Sequence, residues 1–180
     1  MSQAPINQSL PRRGDPRKYA QQGVELVGFL ALESLPRLQG AVTGDSASFD
    51  VLLSFRIDED GKKVLEGTVN GEVNMICQRC LDTVLVPLSC NLRLGIVWSE
   101  DQARALPRDL DPWIVGEGAA DFYEIVEEEL LLSLPAVAYH DYACVPSEHF
   151  SSGAAEVEAS SKPKQNPFQV LEQLKGTPKK

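Results

Sequence analysis

Four cysteines and two histidines hold most of the reactive capacity of this 180-residue chain, and their spacing separates one group from the rest. Cys77-Gln-Arg-Cys80 is a C-x-x-C pair, and His140-Asp-Tyr-Ala-Cys144 is an H-x-x-x-C pair 59 residues downstream. Two sulfurs separated by two residues converge on one ion when the segment between them is a tight turn. Zinc takes four such donors in a structural site. A second half-site from His140 and Cys144 would complete the set and leave no open coordination position, so the role would be structural. Two other readings remain open for the same residues. A thioredoxin-like pair needs a helix N-terminus to lower the thiol pKa, and here strand-like residues lie on both sides. An unmetallated turn, with Cys90 and Cys144 simply buried, is the third.

Other constellations carry less. Glu127, Glu128 and Glu129 are adjacent carboxylates, but consecutive helical residues diverge, so only pairs such as Glu124 and Glu128 share a face. A solvated face is the expectation. There is no G-x-S-x-G elbow, and Gly116-Glu117-Gly118 is not followed by the Lys-Ser/Thr of a phosphate loop. Trp98 and Trp113 read as core or interface anchors. The composition and motifs point away from an enzyme.

The cysteine pair must be positioned by strands. Residues 46–58 alternate, with Phe49, Val51, Leu53, Phe55 and Ile57 on one face, and Gly61 supplies a turn. Residues 63–77 return with Leu65, Val69, Val73 and Met75 apolar, and 83–98 form a third run. These predict an antiparallel meander, with C-x-x-C in the second hairpin turn. Residues 24–30 predict a shorter strand, 32–42 a short helix and 111–115 a short extended piece. Ser99 opens a short helix that ends before Pro107. The main helix is predicted over 119–134, burying Phe122, Ile125, Val126 and Leu130, exposing Asp121, Glu124, Glu127 and Glu128, and stopped by Pro135.

Charge is unevenly placed. The total is −9, yet residues 1–18 carry +3 and residues 162–180 carry +4, leaving −16 on the 143 residues between. Such a body repels phosphate backbones. Any RNA contact falls to the tails, with Arg12, Arg13, Arg17 and Lys18 as candidates. No apolar run approaches the roughly 20 residues of a membrane span, and the first residues lack the apolar core of a secretory signal, so a cytoplasmic protein is expected. The domain plan is a flexible basic arm over 1–20, one α+β domain over 21–150, a small-residue linker over 151–165, and a short amphipathic helix and tail over 166–180. The stripe Phe168, Leu171 and Leu174 on that last helix suits docking into a partner's groove.

Three strings in this order and spacing, CQRC after a strand, EEELLLSLPAVAYHDYAC, and NPFQVLEQLK, resemble the YceD family of large ribosomal RNA subunit accumulation proteins. The similarity runs from about Val24 to Lys175. It implies a role in the synthesis, processing or stability of 23S ribosomal RNA, with no catalytic residue established. Some members place a cysteine where His140 stands and another at Cys144, which carries the ligand set to Cys77, Cys80, His140 and Cys144. This chain lacks the further C-x-x-C of those members.

The expected fold is therefore α+β: an antiparallel meander packed by one long acidic amphipathic helix and shorter helices, between basic tails. The expected function is a non-enzymatic ribosome-biogenesis factor, an acidic adaptor that contacts ribosomal or assembly proteins of the large subunit and touches 23S precursor indirectly. The cofactor is either a structural zinc or none, since the missing C-x-x-C leaves open that the metal is lost and only the loop geometry kept. The alternatives are direct rRNA binding by the basic tails and a C-x-x-C thiol oxidoreductase.

Overall fold

The computed structural model describes residues 8–146. In chain order it forms β1 (Arg13–Gly14), α1 (Pro16–Gln22), β2 (Glu25–Ala31), a single 3-10 turn at Leu32–Ser34, α2 (Pro36–Ala41), β3 (Ser48–Ile57) and β4 (Lys63–Ile76). It continues with β5 (Thr83–Val97), α3 (Glu100–Arg104), β6 (Asp111–Ile114), β7 (Ala120–Asp121) and α4 (Phe122–Ser133). The main sheet has five strands in the order β2-β3-β4-β5-β6, antiparallel throughout except for the last pair.

Alternation built the three long strands as the pattern requires. Phe49, Val51, Leu53 and Phe55 of β3 face the core with Leu65, Val69 and Val73 of β4 and Leu88, Cys90, Leu92 and Leu94 of β5. The opposite face is polar: Arg56, Glu66 and Arg93 line up across it, with Arg56 Nη2 to Glu66 Oε1 at 2.6 Å and Arg93 Nε to Glu66 Oε1 at 3.3 Å. The first hairpin closes through Gly61 at φ 76°, a left-handed conformation that glycine adopts without a Cβ clash.

One element of the meander differs from expectation. The piece at 111–115 joins the sheet as β6, parallel to β5 from Leu94↔Asp111 to Val97↔Ile114. The connection through α3 carries the chain back across, as a parallel pair demands. Ser99 caps α3, its hydroxyl accepting from the Gln102 N–H at 3.3 Å.

The expectation of a flexible arm over 1–20 meets a different arrangement in the part described, residues 8–20. From residue 8 the chain is ordered and packed. Leu10 and Ala20 are buried, and the Leu10 N–H donates to the Phe29 carbonyl at 3.1 Å while the Phe29 N–H donates to the Gln8 carbonyl at 3.0 Å. Gly28 permits this approach, since a Cβ there would lie 2.7–2.9 Å from the backbone of Gln8 and Leu10. Asp15 caps α1 by accepting from the Arg17 and Lys18 N–H groups, and Pro16 occupies the first helical position. Tyr19 then sits among Phe55 and Phe122, with ring centroids 5.4 and 5.9 Å away. The linker over 151–165, and Phe168, Leu171 and Leu174 of the tail helix, lie outside the described residues.

Two of the predicted helices are shorter than their sequence spans. Residues 32–42 split into the 3-10 turn and α2, because Pro36 cannot donate its backbone nitrogen and so begins a new helix instead of continuing one. Residues 119–121 are not helical: β7 pairs with β1 (Arg13↔Asp121, Gly14↔Ala120), and Asp121 caps α4 by accepting from the Tyr123 N–H at 3.0 Å. Phe122, Val126 and Leu130 are buried as expected, whereas Ile125 is half-buried. Glu127 is the exception on the acidic face. It is buried, and its Oε1 accepts from the backbone N–H groups of Arg37 at 2.7 Å and Leu38 at 3.1 Å. Those are orphan donors at the start of α2, so one carboxylate of α4 caps another helix.

Candidate metal centre

Past Gly71, the last β4 residue to pair with β3, β4 and β5 continue alone as a two-stranded arm, from Glu72↔Pro87 to Ile76↔Thr83. A bridge from Thr43 to Asn74 steadies its flank, the Thr43 N–H donating to the Asn74 carbonyl at 2.7 Å. The turn at the arm's end contains Cys77 and Cys80. It closes through Cys77 N–H to the Asp82 carbonyl and Leu81 N–H to the Cys77 carbonyl, both at 2.9 Å.

Pro135 ends α4 and turns the chain back toward this tip. The segment that follows is tied down where Gln78 N–H donates to the Ala138 carbonyl at 2.9 Å. Arg79 reinforces the join: its Nη2 donates to the carbonyls of His140 and Tyr142, and its guanidinium lies 5.2 Å from the Tyr139 ring centroid. Cys77, Val84 and Ala138 form a small apolar cluster beneath, separate from the main core.

The result brings together the four residues that sequence spacing had singled out. The ligand atoms of Cys77, Cys80, His140 and Cys144 lie within 4.8 Å of one another. Cys77 Sγ is 3.7 Å from Cys144 Sγ, and Cys80 Sγ is 3.4 Å from His140 Nδ1. A tetrahedral zinc centre with bonds of about 2.3 Å to sulfur and 2.0–2.1 Å to nitrogen sets neighbouring donors about 3.5–3.8 Å apart. The Cys77–Cys144 edge has that length, and the Cys80–His140 edge is slightly shorter. His140 Nε2 lies 3.1 Å from the Thr83 carbonyl oxygen, which can only accept. The proton of the neutral ring therefore sits on Nε2, which donates to Thr83 as the outer contact expected of a metal-ligating histidine, and Nδ1 turns an unprotonated lone pair toward the sulfurs. The residues fit a four-coordinate ion in donor chemistry, spacing and outer contact alike.

Access, not electrostatics, counts against a redox nucleophile at this pair. Burial pushes the Cys77 thiol up, but the backbone N–H groups of Cys80, Arg79 and His140 outweigh it and bring it down to about 5. For Cys80, the Asp82 N–H acts downward, while burial and the sulfurs of Cys77 and Cys144 prevail and push it up to about 11. The thiol that ionises first is thus the one with no solvent access. A strand follows the turn, so no helix dipole is available to it. Cys90 stands apart in the core, its thiol raised by burial and its Sγ 3.8 Å from the Val69 carbonyl.

The basic candidates of the N-terminal stretch are partly committed to internal partners. Arg12 Nε pairs with Asp121 Oδ2 at 2.9 Å, and Arg17 Nε lies 3.4 Å from Asp15 Oδ1. Lys18 reaches the same aspartate at 3.7 Å, and Arg13 lies exposed on β1. Sequence reasoning missed Arg79, Leu81, Tyr139 and the Thr83 carbonyl. The only signal for them was their nearness to the ligand pairs, since nothing in a single arginine or tyrosine announces what it will touch.

Fold and site together define a small α+β protein whose mixed sheet extends an arm tipped by a knuckle of three cysteines and one histidine. No helix of the described residues is long and apolar enough to cross a membrane. The family described as large ribosomal RNA subunit accumulation protein YceD matches residues 65–175, which span both ligand pairs. The large ribosomal RNA subunit accumulation protein YceD of Haemophilus influenzae is 36% identical over 169 residues, covering 92% of this chain and 96% of the relative. The chain belongs to the YceD family. No solved structure matches it.

Proposed function

We propose that this chain is a non-enzymatic factor in large-subunit ribosome biogenesis, acting in the cytoplasm on the synthesis, processing or stability of 23S ribosomal RNA. It works as an acidic adaptor toward ribosomal or assembly proteins, and its contact with rRNA precursor is indirect. The observation that carries the proposal is the family match over residues 65–175, together with the name its relative bears. Charge supports the adaptor mechanism. The −16 body attracts basic proteins and repels RNA, and two of the arginines nominated for RNA contact, Arg12 and Arg17, are engaged with Asp121 and Asp15.

Zinc is the ion the knuckle suits, held by Cys77, Cys80, His140 Nδ1 and Cys144. It supplies a cross-link between the arm and the segment after α4, and with four protein donors it leaves no position for substrate. The tail stripe Phe168, Leu171 and Leu174 remains a docking element in this proposal.

The test is the phenotype of cells lacking the gene. A lowered 23S to 16S ratio and immature large-subunit particles on sucrose gradients are expected, restored by the wild-type chain. Normal ratios in slow, cold and rich growth would remove the proposal.

A further inference from the structure

Leu81 is the one non-glycine residue among those described with a positive φ, at 64°. A bulky L-residue is strained there by its Cβ, and glycine or asparagine would relieve it. Nothing in its side-chain packing compensates, for Leu81 is 71% exposed at the end of the arm. The strain is therefore not offset by any burial of the side chain. Such residues are retained where the side chain has work outside the fold.

Its surroundings point the same way. Eleven large apolar or aromatic residues are exposed among those described. Six of them, Ile76, Leu81, Leu85, Val137, Tyr139 and Tyr142, belong to the arm or to the segment pinned on it. Exposed Asp82 and Asp141 stand at the same tip. The one arginine there, Arg79, spends its guanidinium on the carbonyls of His140 and Tyr142 and on the Tyr139 ring. The free charge of the tip is therefore negative, and three thiolates around a divalent ion would add one more negative charge. A phosphate backbone is repelled by that surface, and a cationic protein surface is attracted.

We propose that the knuckle tip is a protein-docking surface on which Leu81 inserts into an apolar pocket, rimmed by lysine or arginine, of a basic protein. The proposal deepens the adaptor reading and rests on it. The knuckle and the Arg79 contacts hold the turn rigid, so the leucine is presented with little ordering left to do on binding. Aromatic neighbours and a central aliphatic anchor are the composition of a small interface core, with the carboxylates as its rim.

The experiment uses the full chain with a photo-crosslinking amino acid at position 81 or, as control, at Ile57. Ile57 is exposed too, but lies at the far end of the β3–β4 pair. The probes are the salt-extracted proteins of purified large subunits and, separately, deproteinised large-subunit rRNA. The expected result is a basic protein crosslinked from 81 and not from 57. Leu81→Gly or Leu81→Asn should then weaken binding of that purified protein by at least about tenfold, while the melting temperature stays level or rises. Protein crosslinks from 57 but not 81 would overturn the docking surface and leave the adaptor reading standing. Crosslinks to rRNA from 81, or glycine and asparagine variants that bind as wild type, overturn it as well. RNA crosslinks with no protein captured from either position would remove both.

Discussion

His140 offers Nε2 to the Thr83 carbonyl at 3.1 Å, and this contact decides that Nδ1 is the ring nitrogen facing Cys80. Thr83 is the first residue of β5, so the strand that begins just after the cysteine turn also orients the candidate ligand supplied 57 residues away. Purified protein is accordingly expected to carry about one zinc per chain by atomic spectroscopy. Cys77→Ser or His140→Ala should weaken the ion by at least about 100-fold, whereas His140→Cys should retain it. Because three of the donors must shed protons, acidification should release the ion. Full-chain protein free of metal at neutral pH, with an unchanged melting temperature in chelator, would refute the centre.

Glu127 is a buried carboxylate held by two backbone N–H groups of α2. Glu127→Ala leaves both donors without a partner and is expected to cost about 1–3 kcal/mol by urea denaturation. Glu127→Gln keeps an acceptor oxygen and should cost less. Equal and negligible losses would place this side chain on a solvated face after all.

Leu10 joins the N-terminal stretch to the main core. Leu10→Ala should lower stability by about 2–4 kcal/mol, a penalty that a flexible arm could not produce. Gly28→Ala should destabilise through the same contact, since its methyl would meet the Leu10 backbone at 2.7 Å. Thermal melts of the two variants and of their double mutant test the junction. The double mutant should fall short of additivity.

Glu66 has its carboxyl lowered from 4.5 by its hydrogen bond with Arg56, with burial acting in the opposite direction. A carboxylate whose folded pKa is depressed stabilises the fold fully above its unfolded pKa. That contribution is lost as pH falls through 4.5 toward the folded value. Glu66→Gln should therefore reduce stability at neutral pH, and the difference should vanish in acid. The trio faces solvent, so the neutral-pH difference should stay below about 1 kcal/mol. Paired denaturation curves from pH 7 to pH 3 measure it.

Local periodicity was enough for the three long strands and for placing the C-x-x-C pair in a hairpin turn. An alternating face records burial residue by residue, as with Phe49, Val51, Leu53 and Phe55. The stop at Pro135 and the turn at Gly61 were equally legible, because proline and glycine act on their own backbone. Parallel pairing of β6 was not, since a four-residue extended piece reads the same whichever way it docks.

The four candidate ligands were named by chemistry and spacing alone, because paired thiols and an imidazole four residues before a cysteine are donor sets at ligand spacing. That they converge depended on tertiary structure: α4 had to pack on the sheet and Pro135 had to return the chain to the arm before His140 could meet Cys80. The same holds for Leu10, whose burial depends on the close approach allowed by Gly28. It holds again for Glu127, which looks like any surface glutamate until α2 presents two N–H groups to it. Local patterns record what a residue does to its own backbone and its own face. Partners 60 or 90 residues away exist only once the packing has chosen them.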